Sequence, residues 1–535
     1  MTAPGGTAPA PGRTMVSRSR SFLGGALFAY IYQASLMLVA LWLTPFYIHT
    51  LGQRDYGIWL VGLQVLNFLL LCDFGIIVVT PRDIAHACGV EQAEPGSGTV
   101  ESGEVARVVG QTLKVVLVQT GLVAVAAAAL FLLRPVHDVA LRGPIGIILA
   151  VFVLSYPLRM FPAVLQGLQD LKFLGQLRLI LWAVSTALIV VLLVLGARFY
   201  ALAWGWCLQQ VGHDFVAFLR LRRTRPDLLS AEVWRQAGPL RWRWFTRGFW
   251  VNVTQIATAL SAGSDLLIVG RALSAATVVV YSSTSKLIAV LQNQPQILAS
   301  VALPGLSHMK KSESRDRTLL ATTSLTQGML LVAGAVFCII LAVNQQFVTL
   351  WLGPRFFGGL ELTVVLLATF LLRQLDYTLA VTLFAFGHEK LISIRALADG
   401  ALSVAVAFTL VGRFGMPGVA LGFLCGVACI SLPADIILLT RTLQVSAWEL
   451  SRPYFPYLWR IAVVGGIALA LRNWLGAPTL LHVAITTSAV ALLYLLLVLP
   501  YVWSTPLRGY IEDAVAAFTS TMRARVVGWS NSLAK

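Results

Sequence analysis

Charge is what this chain has least of. Of its 535 residues, 12% are charged, against about 25% in an ordinary soluble domain. The connections between the apolar runs are also short. The longest two, 81–106 and 221–244, leave no room for a folded domain outside the apolar runs. Cysteine is equally sparse: Cys72, Cys88, Cys207, Cys338, Cys425 and Cys429 form no C-x-x-C pair, and most sit in apolar stretches. That pattern excludes a disulfide framework and a thiolate zinc site. Cys425 and Cys429 share a helix face, where they read as small packing residues. The seven histidines are scattered without metal-ligand spacing, so no metal and no cofactor is expected.

What is present is hydrocarbon. Hydrophobic residues make up 58% of the chain and the mean hydropathy is +0.79. A helical bilayer crossing needs about 20 apolar residues, and backbone polar groups in lipid must be satisfied internally. About fourteen stretches meet that length: 21–46, 56–80, 107–133, 144–166, 173–196, 200–220, 245–269, 276–305, 319–342, 362–386, 391–412, 417–440, 457–473 and 479–503. The expected class is therefore an all-α integral membrane protein with about fourteen transmembrane helices.

Basic residues set the expected orientation. With the N-terminus in the cytoplasm, the cytoplasmic tails and loops hold 28 of the 40 Lys+Arg and the opposite side holds 8, leaving four inside helices. This bias places both termini on the cytoplasmic side of the membrane. The net charge of +17 is then mostly an orientation signal, and no nucleic-acid partner is expected. The basic loop "RLRRTRPDLLSAEVWRQAGPLRWRWFTR" (220–247) suits anionic lipid headgroups. The head, 1–20, reads as a disordered basic tail. The C-terminal tail, 505–535, places Ile511, Val515, Phe518, Met522 and Val526 at helical spacing, as in a helix lying on the membrane surface.

The chain also resembles itself. "LGQRDYGIW" and "VGRALSAATVVVYSS" open the second and eighth apolar runs, and "GARFYALAWGW" (196–206) matches "GRFGMPGVALGF" (412–423). Gln33 to Gln255 is 222 residues, Tyr56 to Tyr281 is 225, Pro81 to Pro304 is 223 and Gly167 to Gly387 is 220. A repeat of about six helices is even, so both copies enter from one side, as in two parallel lobes that rock about a central cavity. The expected domains are an N-lobe (21–222, helices 1–6), a basic linker (223–244), a C-lobe (245–441, helices 7–12) and two additional helices (442–504). That is the physics of a transporter. An enzyme would need a catalytic constellation in a sizeable outer loop, and the outer loops hold no paired carboxylates and no Ser/His/Asp grouping.

Four basic residues fall inside the apolar runs: Lys114, Arg159, Lys286 and Arg373. A charge at mid-bilayer costs about 2.5–3.5 kcal/mol, so it faces protein or water. Arg373 has Asp376 one turn on and is expected to pair with it; Lys114 and Arg159 lie nearer the inner end, within snorkelling reach. Lys286 has no acidic residue three or four positions away. Two readings stand side by side. In one, each cation takes an interhelical carboxylate such as Asp73, Asp214, Asp265 or Asp399; in the other, several cations line one anion-favouring cavity. Gln33, Asn252 and Gln255 occupy matched positions in the two halves and join the cavity candidates, with interhelical hydrogen bonding as the alternative. Asp265 and Asp376 are the best candidates for binding a coupling cation.

The stretches "LGQRDYGIWLVGLQVLNFLLLCDFGI" and "SDLLIVGRALSAATVVVYSSTSKL", with the glycine-ended fifth and eleventh helices, resemble the polysaccharide-type flippases of the multidrug/oligosaccharidyl-lipid/polysaccharide exporter superfamily. The likeness runs over about 21–503. It implies translocation of an oligosaccharide linked by pyrophosphate to a polyprenyl lipid, from the cytoplasmic to the periplasmic leaflet, for O-antigen, capsule or exopolysaccharide. It also implies a basic central cavity for the pyrophosphate, with the polysaccharide polymerase and chain-length regulator as candidate partners. The alternative within the same superfamily is a cation-coupled drug or metabolite antiporter, which calls for acidic residues in the cavity.

Overall fold

The computed structural model describes residues 35–71, 74–93, 104–133, 139–239, 248–296, 315–474, 479–505 and 507–509, with a few isolated positions between them. Every regular element among them is a helix. Gln33, Asp73 and both expected tail segments lie outside the described residues, apart from a few positions at 505–512. The chain divides into two compact units, Met1–Ile256 and Ala257–Lys535.

In the first unit, α1 (Ser35–Leu51) turns through Gly52 (φ 89°) into α2 (Gln53–Leu70). The second apolar run, expected to be continuous, is broken. Phe74 (φ 48°) and Gly75 (φ 72°) adopt left-handed backbone before α3 (Ile76–Ala93) begins. Gly75 is required twice over: a Cβ there would also lie 2.6 Å from the carbonyl oxygen of Gly248. Next come α4 (Glu104–Leu133) and α5 (Val139–Ser155). Pro157 and Pro162 remove two backbone donors, and around Pro157 the helix tightens to a 3-10 turn, Tyr156–Arg159, before α6 (Met160–Gly167). Two long helices complete the bundle, α7 (Leu171–Val194) and α8 (Phe199–Thr224), packed on one another. The core is built on Val116, Phe152, Tyr156, Met160 and Val164. Beyond α8 the basic loop folds back as a short turn and α9 (Ala231–Gln236), burying Leu228 and Val233 against α4.

The second unit takes over within α10 (Phe249–Ala272). The eighth apolar run, expected as one helix, is broken into α11 (Ala275–Thr284) and α12 (Lys286–Leu291), the two parts bent by 53°. The 37-residue α13 (Arg315–Trp351) is the spine. Around it stand α14 (Leu360–Ala385), α15 (Glu389–Phe414), α16 (Met416–Gly426) and α17 (Leu432–Leu443), the last two joined by a π-turn at Val427–Ser431. After the short α18 (Ala447–Ser451), α19 (Phe455–Trp474) and α20 (Leu480–Val502) close on the spine through Tyr457, Ile461, Val490 and Tyr494. Tyr494 donates to the carbonyl of Leu331 at 2.9 Å. Hydroxyls on the buried helices return to their own backbone: Thr322, Thr326, Thr378 and Thr382 each donate to the carbonyl four residues back.

The stretches matched in sequence make the same local structure in both units. A left-handed glycine turns the chain (Gly196, φ 83°; Gly415, φ 59°). A second glycine a few residues on lies flat against the preceding helix, Gly205 on Ile189 and Gly422 on Ala407.

Among the described residues eight helices are long and apolar enough to cross a membrane, or ten if each bent pair is one span. The chain is thus a multi-pass membrane protein, and the count of fourteen crossings is not established. Broken helices account for part of the difference, since a run interrupted at Gly75 no longer meets the length of a single span.

Gly334 on α13 tests the docking of the last two helices, because a Cβ there would sit 2.6 Å from Cδ1 of Ile461. Gly334→Leu should destabilise the second unit by about 1–3 kcal/mol. The measurement is the thermal unfolding of the purified protein in detergent, where the midpoint falls relative to wild type.

Candidate functional site

Five helices of the first unit, α2, α3, α6, α7 and α8, line a cleft of about 650 Å³. Its polar lining starts with Arg159, which the 3-10 turn between α5 and α6 presents with its guanidinium 5.0 Å from the Tyr156 ring centre. Arg82 comes from α3 and Arg178 from α7, while α8 contributes Gln209, Gln210, His213 and Asp214. Asp214 is buried, held by the Gln210 amide at 3.3 Å and facing His213 Nδ1 at 3.2 Å. The lining therefore counts three guanidinium groups against one carboxylate. With that composition and room for water, the cleft favours anions and can offer planar, bidentate donors to phosphate oxygens.

Lys286 opens α12 at the bend in the eighth run and is half-buried. Among the described residues it makes no ion pair. The bend is built around Thr284. Its carbonyl, freed by the break, accepts from Asn344 Nδ2 at 3.0 Å, and its hydroxyl accepts from the Gly358 N–H at 2.8 Å. Asn344 belongs to the polar "NQQ" of α13, so the second unit spends a buried amide on holding the break that exposes Lys286.

The other sequence-derived candidates have local partners. Lys114 donates to the carbonyl of Gly238 at 2.6 Å and lies 4.7 Å from the Trp234 ring centre, which fastens the folded-back loop to α4. Arg373 does not pair with Asp376 one turn away. It crosses to α15 and grips Asp399 with both terminal nitrogens, Nη2 at 3.0 Å from Oδ1. The Ser403 and Ser431 hydroxyls also donate to Asp399, at 3.1 and 2.6 Å. The π-turn brings Ser431 in, and Gly426 leaves the space: a Cβ there would collide with both Ser403 and Asp399. Asp376 instead takes Arg395, at 2.7 Å. Asp265 accepts the Leu266 N–H at 2.8 Å. Asn252 is buried and Gln255 half-buried, and the side-chain carbonyl of each has no hydrogen-bond donor among the described residues.

Arg82 and Arg178 are absent from the sequence-derived set because both lie near the ends of apolar runs, where they count as orientation charges. The mid-helix run "LQQVGHD" (208–214) was the available signal: five of its seven residues are polar or glycine inside an otherwise apolar span.

The profile of a family described as "Polysaccharide biosynthesis protein" matches residues 110–358. No curated protein matches. Among solved structures, the lipid II flippase MurJ in an inward closed conformation superposes with a TM-score of 0.64 at 10% identity, covering 90% of this chain and 99% of that one. An inward-facing multidrug resistance MATE family transporter of the MOP superfamily gives 0.59 at 16% identity, covering 77% of this chain and 98% of that one. A MATE bound to MaL6 gives 0.56 at 14% identity, covering 80% and 97%. The fold is that of the MOP transporters.

Because Arg373 and Asp399 neutralise each other, removing one partner should destabilise the protein by about 3–5 kcal/mol, while replacing both costs less. Arg373→Leu should lower the thermal midpoint in detergent strongly, and Arg373→Leu/Asp399→Leu should recover part of it. Full stability of the single variant would show that the pair has no structural role.

Proposed function

We propose that the chain is a flippase for a lipid-linked oligosaccharide whose phosphate-bearing headgroup is escorted across the membrane by cationic side chains. The observation that carries this reading is the arginine-lined cleft of the first unit, with Arg82, Arg159 and Arg178 on its wall. Lys286 at the bend of the eighth run is the matching cation of the second unit. The match of residues 110–358 to a polysaccharide biosynthesis family and the MOP fold support the same reading.

The physical logic is solvation. A pyrophosphate and a glycan cannot cross hydrocarbon unaided. Guanidinium and ammonium groups replace lost hydration with charge-assisted hydrogen bonds, while the lipid tail stays in the bilayer. A few dispersed cations serve better than a closed cage, since the ligand must leave again. An inside-negative potential favours outward movement of the anion by about 2.3 kcal/mol per charge per 100 mV. In this scheme the cleft loads from the cytoplasmic leaflet of a bacterial inner membrane, with both termini cytoplasmic. The Asn252 and Gln255 amides supply neutral hydrogen-bonding capacity to the headgroup, and Gln33 is proposed to do the same.

Losing one charge-assisted hydrogen bond costs about 1.5–3 kcal/mol, and about 1.4 kcal/mol is tenfold in an equilibrium constant. Arg159→Gln, Arg178→Gln and Lys286→Gln should each leave membrane abundance unchanged and cut surface glycan output by roughly tenfold or more at limiting substrate. Normal output from the triple variant would overturn the cation role.

A further inference from the structure

The second unit buries an uneven charge. Asp376 on α14, Asp399 on α15 and Asp435 on α17 have side chains 11%, 1% and 1% exposed, and two guanidinium groups serve all three. Arg373 and two serines satisfy Asp399. Arg395 is left between the other two, with Nη1 2.7 Å from Asp376 Oδ1 and Nε 2.8 Å from Asp435 Oδ1. Asp435 is buried, and among the described residues neither of its carboxylate oxygens receives a hydrogen bond; its contact with Arg395 Nε is an ion pair only. Asp376 and Asp435 therefore flank a single guanidinium. An orphaned carboxylate oxygen beside a second carboxylate is what a bound proton resolves: two acids facing each other cannot both stay ionised at low cost.

The neighbours do not alter the count. Arg395, Arg373 and Asp399 are the charged groups that act on the pair. α16 and the π-turn carry no charged residue. On α13 the charges are at its start, where Arg315 faces Glu449. Arg441 lies in the last turn of α17, and His388, before α15, meets Thr442.

We propose that Asp376 and Asp435 together bind one exchangeable proton, with Arg395 as the positioning residue, and that the second unit takes up and releases this proton in the transport cycle. In the loaded state the Asp435 carboxylic acid donates to the Asp376 carboxylate, and three acids holding one proton balance two guanidinium groups. On release the Asp435 O–H bond breaks, both electrons remain on the carboxylate, and the proton passes to water. The cluster then carries one net negative charge in a low-dielectric setting, a state that favours admitting water or moving helices apart. The Arg395 and Asp376 side chains are each 11% exposed, so the protein does not fully enclose the pair. The π-turn matters here, because it sets the register of Ser431 and Asp435 one turn apart toward Asp399 and Arg395.

The site itself stands apart from the flippase reading; only its coupling to transport rests on it. The test is infrared difference spectroscopy of the full-length protein in lipid nanodiscs across a pH titration. A protonated-carboxyl C=O band at neutral pH should be lost in Asp435→Asn and in Asp376→Asn and kept in Asp265→Asn. Asp435→Glu should retain a displaced band, which separates loss of the proton from loss of the fold. No such band in wild type, or a band that survives both asparagine variants, overturns the site. Coupling is read from surface glycan output when nigericin collapses the pH gradient: wild-type output falls and that of Asp435→Asn does not change. A wild-type output indifferent to nigericin, with the band present, overturns the coupling and leaves the site standing.

Discussion

A charge in hydrocarbon must be neutralised or wetted, and the arrangement of this protein follows from which remedy each unit uses. The second unit neutralises: Arg373 with Asp399, and Arg395 between Asp376 and Asp435, with serine hydroxyls taking up remaining acceptor capacity. In the first unit Arg82, Arg159 and Arg178 line a cleft of about 650 Å³ beside glutamines, a histidine and the Asp214 carboxylate. Lys286 at its helix break is the exception within the second unit, with no ion pair among the described residues. The proposed division of labour, headgroup in the first unit and proton in the second, follows the sign of the charge in excess: guanidinium groups line the cleft, and carboxylates outnumber them in the buried cluster.

Helix interruptions supply the geometry in each case. The 3-10 turn at Tyr156–Arg159 presents Arg159, the bend after Thr284 presents Lys286, and the π-turn at Val427–Ser431 seats Asp399 and Asp435. Each break frees backbone groups that lipid cannot satisfy, so each needs a partner from the protein. Asn344 does this at the bend. Such breaks persist where the surroundings determine them, and here they coincide with the charged residues rather than with the uniformly apolar helices.

The sequence made the membrane character and all-helical class legible, because both follow from the length of apolar runs. The internal repeat was legible at its punctuation, where Gly196 and Gly415 do take left-handed backbone in matched stretches. Pairing was not. Spacing offers Asp376 to Arg373, and only the packing of α14 against α15, with Gly426 making room, shows that Asp399 takes it. Continuous apolar runs concealed the breaks at Gly75 and Ser285, since a run says how far a helix could extend and not where a neighbour forces it to bend. Arg82 and Arg178 escaped for a related reason: a cation at a helix end reads as an orientation signal whether it faces headgroups or a cleft.

The central claim is that the first unit's cleft is hydrated and positively charged in the membrane. It is tested most directly by thiol accessibility at Gln210, a lining residue. With the native cysteines replaced, Gln210→Cys is exposed in membranes to a matched pair of small methanethiosulfonate reagents, one anionic and one cationic. The account predicts modification by both, faster for the anionic reagent, with the difference shrinking at high salt. No modification, or faster reaction with the cationic reagent, would contradict it.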